Sequence, residues 1–147
     1  MASCRWLLAF VLVAGCAAPA VAPTPGEPVP AGSQVSGVAR LTSGHWDASP
    51  DGFLRSRPAY SEAWPAHPLA EGARVTLVVR DHDQAWHEAG YLSPPGDVAG
   101  IHVLHRWLGT GSGAWRDESF DVPPDARVDG PLYVSDGLVV LKLQVAP

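Results

Sequence analysis

The chain has 147 residues and carries 10 Lys and Arg against 15 Asp and Glu, a formal charge of −5. An acidic chain without a basic run lacks the electrostatic footprint of a nucleic-acid binder. Its 15 prolines and 15 glycines interrupt the sequence too often for long helices and favour short strands joined by turns.

The amino-terminal stretch holds Arg5, an apolar run from Trp6 to Val13, and then Ala14-Gly15-Cys16. One early base, an apolar core and small residues before a cut are the order of a secretory signal. The run falls short of the roughly 20 apolar residues that a bilayer span needs. Val13-Ala14-Gly15-Cys16 resembles the lipobox of bacterial lipoproteins. That resemblance implies cleavage before Cys16, a diacylglycerol on its sulfur and an acyl chain on its new amine. Two or more chains anchor stably where one binds only marginally. Ala17 follows instead of Asp, which by the same resemblance favours the outer membrane, facing the periplasm. Cleavage removes Cys4 and Arg5, so the mature chain is one unit more acidic and keeps no thiol for a disulfide or a Cys-based metal site. The expected organisation is a signal peptide over 1–15, a lipidated Cys and Pro-rich linker over 16–34, and a periplasmic β domain over 35–147.

Prolines 19, 23, 25, 28 and 30 predict a semi-rigid spacer. Residues 35–41 predict the opening strand, with Gly37 marking a bulge or a close approach. Residues 42–68 hold Pro50, Pro58, Pro65 and Pro68 together with His45, Trp46, Phe53, Tyr60 and Trp64, too long and too aromatic for an ordinary loop. A short strand is expected over 52–57 and a helical turn over 60–64, the whole either covering the sheet or forming a binding lip. Residues 73–80 give the clearest strand, Val75, Leu77 and Val79 alternating with polar or outward positions. Residues 84–92 fit a helical turn or a strand. In 101–108, Ile101, Val103, His105 and Trp107 share one face and His102, Leu104, Arg106 and Leu108 the other. Residues 109–113 form a flexible turn, and 115–122 pair back to bring Phe120 and Val122 to the core. Residues 132–134 and 138–145 predict a hairpin across Ser135-Asp136-Gly137, with Val139, Leu141, Leu143 and Val145 inward. About six or seven strands result, an all-β antiparallel sandwich or small open barrel.

Chemistry is sparse. Asp81, His82, Asp83 and His87 are ligand types suited to zinc or copper, with His82 and His87 the weak metal candidates, but their spacing gathers no site. His102 and His105, three apart on a strand, should face opposite ways. None of Ser61, Ser93, Ser112, Ser119 and Ser135 sits in a G-x-S-x-G elbow. The adjacent carboxylates Asp117 and Glu118 should face apart, into solvent. No enzyme, metal or cofactor is therefore assigned. Trp107 is expected in the core. Trp46, Trp64 and Trp86, in Pro/Gly-rich loops, are the candidates for binding a carbohydrate, peptide or other small ligand.

Val35-Ser36-Gly37-Val38, then residues 69–81, then Phe120-Asp121-Val122 with Arg127-Val128-Asp129 and Tyr133, resemble the corresponding stretches of the YscW/YbaY-type lipoprotein family, the group that contains type III secretion pilotins. Residues 42–68 have no counterpart there, and 82–100 match poorly. The resemblance implies a small β domain on the periplasmic face of the outer membrane and, for a pilotin, a secretin segment as partner, accepted by an apolar groove or an open sheet edge. The lipid anchor makes a direct prediction. Cys16→Ser should abolish incorporation of radiolabelled palmitate and release the protein from the membrane fraction; label retained by the variant would refute lipidation at Cys16.

Overall fold

The computed structural model describes residues 26, 28–93, 100–124, 126 and 128–147; Cys16 and the signal sequence lie outside the described residues. No helix occurs among them. Strands β1 (Gln34–Ser36), β2 (Val38–Leu41), β3 (Trp46–Ala48), β4 (Leu54–Ser56), β5 (Tyr60–Pro65), β6 (Arg74–Arg80), β7 (Trp86–Leu92), β8 (Ile101–Leu108), β9 (Trp115–Asp117), β10 (Phe120–Asp121), β11 (Leu132–Ser135) and β12 (Val139–Ala146) follow in order. They build an all-β, sandwich-like fold that does not close into a barrel. A seven-stranded sheet runs β10-β6-β12-β4-β3, with β9 also on β6 and β1 added parallel to β12; a five-stranded sheet runs β2-β5-β11-β7-β8.

The strongest sequence signal sits at the centre. Val75, Leu77 and Val79 of β6 are buried, and β12 answers with Val145, Leu143 and Val140 opposite them. A one-residue slip between Val140 and Lys142 reverses the alternation of β12. Leu138, Val140, Leu143 and Val145 are therefore the buried set, while Val139 and Leu141 are only half-buried, contrary to the simple period-two expectation. Trp107, Phe120 and Val122 join the core as expected.

Three segments depart from the sequence reading. Residues 35–41 are two strands in two sheets, because the chain turns at Gly37 (φ +68°), where a Cβ would lie 1.8 Å from the Val145 carbonyl oxygen. Residues 42–68 neither cover the sheet nor form a lip: they supply β3 and β4 to one sheet and β5 to the other. The expected helical turn at 60–64 is the strand β5, whose inward residues, Ser61 and Ala63, are too small to advertise burial. The Ser135-Asp136-Gly137 turn is not a hairpin but a corner between sheets, since β11 pairs with β5 and β7 while β12 pairs with β4 and β6. Buried Ser56 holds that corner: its hydroxyl donates to the Ser135 carbonyl (2.8 Å) and accepts from the Leu138 N–H (2.9 Å). Residues 28–33, the end of the Pro-rich stretch, lie against the sandwich, with Gly32 N–H donating to Gly52 O at 3.1 Å and the Ser33 hydroxyl to Val140 O at 2.5 Å.

Trp46 joins the layers. Its indole is fully buried from β3, and its Nε1 donates across to the Glu62 carbonyl of β5 at 2.8 Å. Trp46→Ala should lower unfolding free energy by about 3–5 kcal/mol in urea titrations. Gly37→Ala should cost more than Gly44→Ala: both sites have positive φ, but only the former meets backbone, and positive φ alone already costs about 1 kcal/mol for alanine.

Candidate functional site

Among the described residues the space between the sheets is nearly filled. The void between the sheets, lined by Trp46, Ala63, Leu77, Phe120, Leu132 and others, measures about 10 Å³, at the lower limit for a single water. Any ligand or partner seated on the described residues therefore meets an outer face or an edge.

The polar residues singled out in the sequence are mostly committed to holding loops. The Asp81 carboxylate brackets the glycine-rich turn after β8: it accepts from the Thr110 hydroxyl, from the Thr110 N–H (2.7 Å), from the Ser112 hydroxyl (2.8 Å) and from the Gly111 N–H (3.3 Å). The expected flexible turn at 109–113 is thus tied down. His87 is buried and its Nε2 lies 2.8 Å from Asp83 Oδ1, while His82 Nε2 is 3.5 Å from Asp83 Oδ2 and its Nδ1 3.0 Å from the Arg80 carbonyl. His82 and His87 so meet the same aspartate on different oxygens, and among the described residues no three or more His, Cys, Asp or Glu are arranged to hold a metal ion. Ser135 Oγ lies 3.5 Å from His87 Nδ1, which lines up serine, histidine and aspartate without any sequence motif. The Oγ already accepts the Glu88 N–H at 3.1 Å and the ring is packed against Trp107, so this line fastens the start of β7 to the end of β11.

The expected opposition of His102 and His105 is corrected by one bulge. The β7–β8 register passes from Ala89↔His105 to Gly90↔Val103, skipping Leu104. His102, His105 and Trp107 consequently share the inward face with Tyr91, Ala89 and His87, and the two histidines do not point apart. His105 stacks between Trp107 and Phe120 and reaches Glu118 Oε2 at 2.9 Å; Glu118 is buried and also paired with Arg116. Glu118 is therefore a link between β8 and the β9–β10 turn, not a solvent-facing charge. Asp117, exposed, accepts from the Ser119 N–H at 2.9 Å.

The tryptophan triad is not assembled. Trp46 is in the core. Trp64 and Trp86 lie on strands, not loops, and the register through β11 puts them at opposite ends of the outer face of the five-stranded sheet. Trp64 lies under the Arg40 guanidinium, 4.8 Å from ring centroid to Cζ. Trp86 is 67% exposed.

Trp86 belongs to another set, missed in the sequence. The outward pairs of β7 and β8 are Trp86↔Leu108, Glu88↔Arg106, Gly90↔Val103 and Leu92↔Ile101. Leu108, Val103 and Ile101 are 45%, 43% and 55% exposed. They form an apolar stripe crossed by one ion pair, Arg106 Nη2 to Glu88 Oε2 at 2.9 Å. Glu88 also accepts from the Tyr133 hydroxyl at 3.3 Å, and the Tyr133 ring covers the side-chain-free Gly90; burial pushes the Tyr133 phenol above its usual range, with the neighbouring Glu88 charge adding to it. Beyond the stripe, β8 is the sheet's last strand, and no described strand pairs with its far edge. Arg116 caps one carbonyl there, Leu108 O, at 2.8 Å.

No family model, curated protein or solved structure matches this chain.

The hydrogen bonds to Asp81, led by the Thr110 hydroxyl, hold its carboxyl well below the usual carboxylate range. A depressed folded-state pKa adds stability above the unfolded value, near about 4, and loses it as pH falls through the acid range. The stability gap between wild type and Asp81→Asn, measured by urea unfolding, should therefore be larger at pH 7 than at pH 3; an equal gap would show that the carboxylate charge is not what holds the turn.

Proposed function

We propose that this chain is a lipid-anchored protein of the bacterial cell envelope, held at Cys16, whose β sandwich accepts an extended segment of another envelope protein along the free edge of β8. The membrane part of the reading rests on the sequence of residues 5–16. The binding part rests on one observation: the sheet ends in its longest strand, with an open edge and with Trp86, Ile101, Val103 and Leu108 exposed beside it. An unpaired edge supplies backbone donors and acceptors to an added strand, and alternate side chains of that strand gain apolar contacts. Clustered exposed apolar residues mark interaction surfaces. The resemblance to pilotin-type lipoproteins supports a secretin segment as the specific partner.

No catalytic role and no cofactor is proposed. The test uses the full chain in its native membrane. Val103→Glu with Leu108→Glu places charge on the stripe without touching the core. Chemical cross-linking should yield a defined partner with wild type that is lost in this variant at unchanged melting temperature. A partner captured equally by both proteins would remove β8 from the reading, and recovery of partners other than a secretin would remove the pilotin form of it.

A further inference from the structure

The outer face of the seven-stranded sheet carries a cleft of about 510 Å³ between the β3–β4 turn, the end of β6 and the start of β12, lined by Ser49, Pro50, Asp51, Arg55, Arg80, His82 and Val139. The size is that of a small-molecule site, and the lining is unusual for an acidic chain: two of its ten Lys and Arg residues and one histidine meet there. The two arginines differ in state. Arg80 is fixed. Its Nη1 donates to Asp51 Oδ2 at 2.5 Å, its guanidinium lies 4.8 Å from the Trp115 ring and 5.6 Å from the Phe53 ring, and those two rings pack edge to face at 5.0 Å. Asp51 is itself oriented by the Ser49 hydroxyl at 2.6 Å. A planar cation stacked and paired in this way is preorganised, with N–H groups left over after the one bond to Asp51.

Arg55 is the opposite case. It is exposed on β4, opposite Asp47 of β3. Both carboxylate oxygens of Asp47, however, are taken by Arg57, at 2.7 and 2.5 Å. The hydrogen bonds from Arg57 chiefly hold the Asp47 carboxyl below its ordinary value, with the charge of Arg55 adding to it; Arg55 forms no hydrogen bond or close ion pair with another described residue and shares the cleft with Arg80. Its fork is therefore available to an outside anion, and guanidinium geometry suits bidentate contact with a carboxylate or a phosphate.

We propose that this cleft binds a small monocarboxylate with a compact apolar body, the carboxylate held by the Arg55 fork and the remaining N–H groups of Arg80, the body resting on Val139 and Pro50. The charge balance sets the valence. Two guanidinium groups less one Asp51 carboxylate leave a single positive charge, which matches one negative charge and is undersized for a phosphate dianion. The cleft is on the sheet opposite β8, so the inference stands apart from the partner-binding reading.

The probe is benzoate, with benzamide as its neutral counterpart and inorganic phosphate as the dianion, titrated into the ¹⁵N-labelled full chain in detergent micelles. Benzoate should shift the amide signals of Asp51, Arg55 and Val139 saturably, in the millimolar range expected of so small a ligand. Benzamide should give no saturable shift, and phosphate should bind more weakly than benzoate. Arg55→Gln should weaken benzoate at least tenfold, and Arg55→Lys should recover part of the loss by restoring charge without the fork. Equal shifts with benzamide, unchanged affinity in Arg55→Gln, or phosphate binding at least as tight as benzoate would each overturn the proposal. Arg55 is exposed and forms no hydrogen bond with another described residue, so its variants should keep the fold, and their melting temperatures check this independently of ligand.

Discussion

The structure turns on a single indole between two sheets. Trp46 enters the core from an edge strand of one layer and hydrogen-bonds the backbone of a strand in the other. An indole buried without a partner for its N–H would carry a desolvation cost; here the carbonyl of Glu62 meets it, so the same side chain fills part of the core and ties the two layers together. Among the described residues, the interior that results is nearly filled, the void between the sheets measuring about 10 Å³. Binding chemistry is therefore displaced to the outer faces and the free edges.

Bulges decide which chemistry reaches those faces. In β8 the extra residue Leu104 carries His105 and Trp107 inward while leaving Ile101 and Val103 outward. In β12 the slip near Leu141 buries Val140 and leaves Val139 at the rim of the arginine-lined cleft. Because side chains alternate with period two, one inserted residue exchanges the faces of everything beyond it. Both candidate surfaces owe part of their composition to such an exchange.

The two outer faces have separate characters. On the five-stranded sheet, Glu88 ties Arg106 and Tyr133 together and leaves an apolar border along the open edge. On the seven-stranded sheet, Asp47, Asp51, Arg55, Arg57 and Arg80 form a charged field in which pairing is nearly but not wholly complete. A surface salt bridge contributes little stability, so the value of these pairs lies in orientation: they spend Asp47 and Asp51 on Arg57 and Arg80 and leave Arg55 open.

The sequence by itself determined what is local. The lipobox-like stretch is read from adjacent residues. The strand Arg74–Arg80 follows from an unbroken period-two pattern and the all-β class from frequent prolines and glycines, and Trp107, Phe120 and Val122 were legible as core residues although a bulge breaks the period of the strand that carries Trp107. Even Gly37 announced a close approach. Tertiary structure alone decided everything that depends on which strand lies beside which: that the Asp-Gly turn joins two sheets, that Trp46 is core while Trp86 is surface, that Glu118 is buried with His105, and that Arg55 and Arg80, 25 residues apart, share a cleft. These are non-local pairings and one-residue slips. A bulge leaves no mark in composition, and a cross-strand neighbour is set by the competition of whole sheets for the same core, which no window of adjacent residues contains.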